Sequence, residues 1–127
     1  MTNIVITAAK RTAIGKFMGS LSDYSAPELG KLTIEAVLNE NSLDKNLVDE
    51  LIMGQVLTGG SGQNPARQTS ILAELPIEKS ALTINQVCGS GLRAVSLGAQ
   101  SIMTNQSKIV IAGGQESMTN AHHTINV

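Results

Sequence analysis

Three observations predict an α/β fold, with strands alternating with helices in a mixed, mostly parallel sheet. Short apolar runs recur at Ile4–Ala9, Leu51–Leu57, Ala81–Val87 and Lys108–Ala112. Helix-start residues lie between them, at Ser25, Asp44, Pro65 and Gly89. Leu51–Leu57 is apolar on both faces apart from Gln55, which suits a central strand covered by helices on either side. Alternation of this kind is the pattern of parallel sheets.

The elements follow in order. Ile4–Ala9 is the expected first strand, and a Gly-, Ser- and Thr-rich loop runs from Lys10 to Tyr24. Ser25 is a good N-cap, and Glu28 completes a capping box. Leu29, Leu32, Ala36 and Val37 then fall on one helical face. Asp44 caps a short helix over Lys45–Asp49. After the strand Leu51–Leu57 comes the glycine-rich loop Thr58–Asn64, and Pro65 opens a helix that Ala66–Glu74 continues. Ala81–Val87 is the next strand and Gly89–Thr104 the next helix. That helix is apolar nearly all round, which predicts enclosure, and its small residues allow neighbouring backbones to come close. Lys108–Ala112 is the last strand, and the tail from Gln115 has no clear period.

Composition sets the outer bounds. The 127 residues make one domain, with 42% hydrophobic and 15% charged residues, an ordinary globular mix. Nine basic against ten acidic residues leave a net charge of -1 with no basic stripe, and Phe17 and Tyr24 are the only aromatics, so no nucleic-acid partner is expected. The single cysteine fits a reducing compartment. No apolar run reaches the roughly 18 residues of a membrane span, and Met1–Lys10 lacks the pattern of a signal peptide. A cytoplasmic protein with no membrane partner is the expectation.

The single cysteine is also the candidate for chemistry. Cys88 lies between a strand and a helix in the string Asn85-Gln86-Val87-Cys88-Gly89-Ser90-Gly91. Gly89 and Gly91, with Ser90 between them, permit a sharp supporting turn and the close approach of a ligand. This is the logic of a nucleophile elbow, a side chain displayed beside the first amides of a helix. Such amides and the helix dipole favour a thiolate, and a backbone amide there can receive the oxyanion formed when a carbonyl is attacked. The other reading of these residues is a buried cysteine acting as a small hydrophobe.

The string Asn85–Ala94 resembles the active-site signature of thiolases. Arg11–Lys16, Gly62–Gln68 and Ala112–Met118 also resemble thiolase segments, in the family's order and spacing. The resemblance runs from the first strand to about Ala121. It implies a thiolase-like N-terminal domain, incomplete, with residues 1–127 forming part of that domain and a C-terminal half absent. It also implies an acetyl-CoA C-acetyltransferase that forms or cleaves 3-ketoacyl-CoA through a Cys88 acyl-thioester. Acyl-CoA and CoA would be substrates, and no cofactor or metal would be needed. The family draws a Gly-His-Pro histidine and a second cysteine from its C-terminal half, and neither occurs here. A homo-oligomer is expected, and a complementary C-terminal thiolase chain is a further candidate partner. The alternative is a catalytically inactive truncated or split-gene thiolase fragment that folds partly and dimerises, its uncovered apolar faces driving association. A related ketoacyl synthase or hydroxymethylglutaryl-CoA synthase fits the signature less well.

The remaining polar residues read as structure. Gly59, Gly60 and Gly62 lack the spacing of a dinucleotide fingerprint. Gln63 and Asn64 are expected to cap or tie their loop, Arg11 to anchor the first loop, and Glu116 to satisfy amides near Gly113 and Gly114. Asn85 is expected to close a buried hydrogen-bond network. His122 and His123, close to the C-terminus, are weak candidates for a base, and a metal site with Cys88 matches no known ligand spacing.

Overall fold

The computed structural model describes residues 3–127; Met1 and Thr2, the start of the N-terminus read above, lie outside the described residues. Three parallel strands, β1 (Glu50–Gly54), β2 (Ser80–Ile84) and β3 (Val110–Gly114), form a sheet in the order β2-β1-β3. Three helices accompany them: α1 (Ala26–Glu40), α2 (Pro65–Leu72) and α3 (Ser90–Met103).

Side-chain alternation along the central strand separates two faces. Leu51 and Met53 join Ile34 and Leu38 of α1, Ala66 of α2, and Val48, Ala73 and Leu75 in one apolar cluster. Ile52 faces the other way, in a hollow shared with Leu82 and Leu97 of α3. Val110 and Ala112 meet α3 at Gly98. The sheet therefore lies between α1 and α2 on one side and α3 on the other, as parallel order requires.

The caps work as the sequence implies. Ser25 and Glu28 form the reciprocal capping box of α1, and the Asp44 carboxylate accepts the Asn46 amide at 2.9 Å to start a single 3-10 turn over Lys45–Leu47. The buried face of α1 is Ala26, Pro27, Leu29, Gly30, Ile34 and Leu38, so Leu32 points outward instead of joining Leu29. Asn64 tolerates a left-handed φ of 41°, caps α2 through the Arg67 amide, and ties the loop to β2 by donating to the Ala81 carbonyl at 3.0 Å.

Two expectations are corrected. Ile4–Ala9 forms no strand. It crosses a groove of about 660 Å3 that separates it from β3, over a floor including Val95 and Ile102 of α3 and Val37 of α1. Without a backbone partner an apolar run stays out of the sheet whatever its propensity. The segment is anchored by an ion pair of 3.0 Å between Lys10 and Glu40. Second, α3 is not enclosed. Only Ser90, Ala94, Gly98 and Ser101 are buried, while Leu92 is 79% and Met103 64% exposed. The small residues Ala94, Gly98 and Ser101 face the sheet, Leu97 and Ile102 are half-buried at its flanks, and Leu92 and Met103 face out.

The entry to β3 is set by a carboxylate. Asp49 accepts the amides of Lys108 and Ile109 at 2.8 and 3.1 Å, which delays the strand to Val110. These bonds, first from Lys108 and then from Ile109, hold the Asp49 carboxyl below its ordinary pKa, with Lys79 adding to the effect. A depressed folded value gives stability that is present above the unfolded pKa and lost as pH falls through the folded one. The melting temperature is therefore expected to hold from neutral pH to about pH 5 and to fall below about pH 4. Asp49→Asn should lower the neutral-pH melting temperature and flatten that acid limb. An unchanged limb in a pH series of thermal melts would remove Asp49 from this role.

Candidate active site

Cys88 stands exposed on the turn joining β2 to α3, at the carboxyl ends of the strands. Open parallel sheets bind ligands at that edge. The buried-hydrophobe reading of Cys88 is thereby set aside. Gly89 occupies the N-cap of α3 with no side-chain bond, so the helix begins on bare backbone. The turn closes on itself: the Gly89 amide donates to the Gln86 carbonyl and the Ser90 amide to the Val87 carbonyl, both at 3.1 Å.

The helix seats directly on the strand ends. A Cβ added to Gly54 would lie 2.5 Å from the Ser90 Cβ and 2.6 Å from the Ser90 carbonyl carbon. A Cβ on Gly114 would lie 3.2 Å from the Gly91 Cα. Glycine at these positions lets the start of α3 touch β1 and β3 backbone to backbone. Of the supporting turn read from sequence, Ser90 is buried and Gly91 half-buried, while Gly89 is exposed.

Val87, just before the cysteine, has a φ of 51°. Left-handed backbone is a genuine outlier for a β-branched residue, at a cost of about 1–3 kcal/mol. Met18, Ser42, Asn64, Glu74 and Asn105 share positive φ among the described residues, and none of them is β-branched. Side chains brace the turn: the Val87 amide donates to Asn85 Oδ1 at 2.9 Å, and Ser90 Oγ donates to the Val87 carbonyl at 2.6 Å while accepting the Gln86 amide at 2.8 Å.

Two carboxyl-terminal residues of the site were misplaced or missed by sequence reasoning. Glu116 does not serve amides near Gly113 and Gly114. Its carboxylate takes the amides of Val56 and Leu57 at 2.8 and 3.2 Å, which ends β1 at Gly54 where the sequence suggested Leu57. Gln115 lies in the matched segment Ala112–Met118, and the sequence assigns it no role beyond starting a polar tail. It is buried, donates to Gln55 Oε1 at 2.9 Å and accepts from Thr69 Oγ1 at 2.7 Å, joining the ends of β1 and β3 to α2. The signal available was the lone polar Gln55 in an otherwise apolar strand, since a buried amide requires partners.

The other candidates lie elsewhere. Arg11 is exposed and donates only to the neighbouring Thr12 carbonyl, at 2.8 Å, so it anchors nothing distant through that bond. The His122 ring packs against Gly60, in the loop after β1. Among the described residues no group of three or more His, Cys, Asp and Glu side chains could hold a metal ion, and no helix is long and apolar enough to cross a membrane.

Fold and site together define an α/β protein that displays its one cysteine on a braced strand-to-helix elbow. The family model described as "Thiolase, N-terminal domain" matches residues 4–127. The chain belongs to the thiolase family. It is 56% identical over 125 residues to an acetyl-CoA acetyltransferase of Cupriavidus necator, and 53% identical over 125 residues to one of Pseudomonas aeruginosa. Each match covers 98% of this chain but only 32% of the relative, so the chain spans about a third of their length. Among solved structures, a thiolase from Ascaris suum in complex with coenzyme A superposes with a TM-score of 0.89 at 40% identity, covering 91% of this chain and 30% of that one.

Proposed function

We propose that the chain supplies the nucleophile half of an acetyl-CoA C-acetyltransferase. Cys88 Sγ attacks the thioester carbonyl of an acetyl-CoA, the carbon–sulfur bond to CoA breaks, and the acetyl group stays on Cys88. The α-carbon of a second acetyl-CoA, once deprotonated, attacks that acyl group. A 3-ketoacyl-CoA leaves and the thiol is restored. The thioester itself acidifies the α-carbon, so the chemistry calls for no metal or organic cofactor. The observation that carries this reading is the exposed Cys88 on a strained, braced turn at the strand ends. The base for Cys88 and the acid–base group for the second substrate come from the two thirds of the polypeptide that the relatives have beyond this span, by the family resemblance.

Self-association accompanies this reading. Leu82 on the edge strand β2 is 44% exposed, and on the outer side of α3 Leu92 and Met103 are uncovered. Apolar surface next to an open strand edge favours pairing with another copy or with a complementary thiolase chain. The same faces support the second reading, a non-catalytic piece that folds and dimerises.

Intact-mass spectrometry after incubation with acetyl-CoA or acetoacetyl-CoA separates them. The chain is measured alone and mixed with the remaining two thirds of the Cupriavidus necator enzyme. One acetyl group gained in either arm supports the nucleophile reading, and gain only in the mixture identifies a complementing piece. No acetyl group in both arms would leave the non-catalytic reading standing.

A further inference from the structure

A side-chain relay runs beneath the Cys88 turn from the ends of all three strands. The Glu116 carboxylate, just after β3, holds the Val56 and Leu57 amides at the exit of β1. That fixes the Val56 carbonyl, which accepts from Asn85 Nδ2 at 3.2 Å. The other end of the same amide, Asn85 Oδ1, accepts the Val87 amide at 2.9 Å. Val87 is the residue at φ 51° and is 64% exposed, so packing against a core does not hold it there. What holds it is hydrogen bonding: Asn85 at its amide, and the Ser90 hydroxyl and amide at its carbonyl.

We infer that Asn85 is a positioning residue for Cys88, fixing the direction of the nucleophile's turn by keeping Val87 left-handed, with Glu116 extending the hold through Val56. This deepens the proposed function and rests on Cys88 being the nucleophile. The physical argument is one of opposing terms. A valine left to itself favours negative φ. Its amide bond to Asn85 favours the observed conformation. Removing the bond lets the backbone rotate at residue 87, and the next residue, Cys88, turns with it. A glycine in place of Val87 has no such preference to overcome. The loss of Asn85 should therefore matter much more in the parent chain than in a Val87→Gly background.

The test is a four-member set: the parent chain, Asn85→Ala, Val87→Gly, and both together. Two quantities are read. One is the sign of φ at residue 87, from the amide–α-proton coupling and the 13Cα shift. The other is the rate of Cys88 acetylation by acetyl-CoA, in whichever arm of the mass experiment labels the parent. Asn85→Ala is expected to move residue 87 to negative φ and to slow acetylation about tenfold. Val87→Gly and the double variant are expected within about threefold of one another, the rescue that a general loss of stability would not produce. Asn85→Asp keeps the acceptor for the Val87 amide and should keep φ positive. Glu116→Gln should slow acetylation less than Asn85→Ala, and Val87→Gly should relieve that effect too.

The inference is overturned if residue 87 stays left-handed in Asn85→Ala, or if the double variant is as slow as Asn85→Ala alone. Should Asn85→Ala fail to fold, a folded double variant supports the inference and an unfolded one overturns it. Should the parent take up no acetyl group, the nucleophile reading falls, and the φ measurements alone decide whether Asn85 sets the turn.

Discussion

Replacing Cys88 by alanine is expected to abolish the acetyl adduct while leaving the thermal transition nearly unchanged. The two outcomes are linked by the exposure of the side chain. Cys88 packs into no core, so its loss opens no cavity, and exposed substitutions of this kind usually stay within about 0.5 kcal/mol. It is the only thiol in the chain, so no neighbouring sulfur can take over. Intact mass with acetyl-CoA or acetoacetyl-CoA, beside a melt followed by circular dichroism, reads both quantities from one preparation. An adduct that survives Cys88→Ala would show acylation of some other nucleophile. A large drop in melting temperature would show that the thiol packs more tightly than its exposure indicates.

Gly54→Val should act in the opposite sense, severe for folding wherever the nucleophile lies. The β-carbon alone would meet Ser90 at 2.5 Å and the Gly91 amide nitrogen at 2.8 Å, and the clash is with backbone and a buried residue, not with a flexible tip. To make room, α3 must lift from the end of β1 and carry the Cys88 turn with it. Overpacking of this kind costs about 1–3 kcal/mol, and with two further methyl groups the upper end applies. For a domain of this size that corresponds to a fall in melting temperature on the order of 10 °C. Gly113→Ala is the matched control, because its added carbon would meet only the Met53 sulfur, at 3.8 Å. Equal melting temperatures for Gly54→Val and Gly113→Ala would refute the tight seat of α3 on β1.

The contrast between these glycines explains what the sequence could and could not disclose. The alternation of strands with helices, the Ser25–Glu28 capping box and the Asn64–Pro65 start of α2 are local signals, written in consecutive residues, and the structure follows them. The display of Cys88 between β2 and α3 was legible for the same reason. What was not legible depends on partners distant in the chain. The stop of β1 at Gly54 comes from a carboxylate about sixty positions later, Glu116. The start of β3 comes from Asp49, about as far in the other direction. Ile4–Ala9 carries strand propensity but meets a groove where a strand would be needed, and propensity does not record that. The enclosure of α3 was not legible because composition tells how apolar a helix is, not how many neighbours it has, whereas the uncovered apolar side follows from an incomplete domain. Val87 gave no warning, since valine is among the last residues expected at positive φ.

The strand order has a consequence for how the chain comes to be folded during synthesis. The central strand is the earliest to emerge: Glu50 must wait for Ser80, thirty positions on, and for Val110, sixty positions on, before its two sides are filled. Pairing across such separations has to meet the entropy of closing each loop before any bond is gained, and the cost grows with loop length. The β1–β2 pair with α2 can form on a nascent chain from which β3 is still missing. Gly114 and Glu116 emerge after Gly54, Val56, Asn85 and Cys88, so the seat and the brace beneath Cys88 are completed only once they have been made. Pulsed hydrogen exchange on the refolding chain should accordingly protect the β1–β2 amides before those of Val56 and Leu57. Simultaneous protection would instead mean that the sheet closes in a single step. In the sequential case a nascent chain that lacks the third strand has only the local bonds of residues 85–90 to shape the Cys88 turn, and the Glu116 brace joins them once that strand is in place.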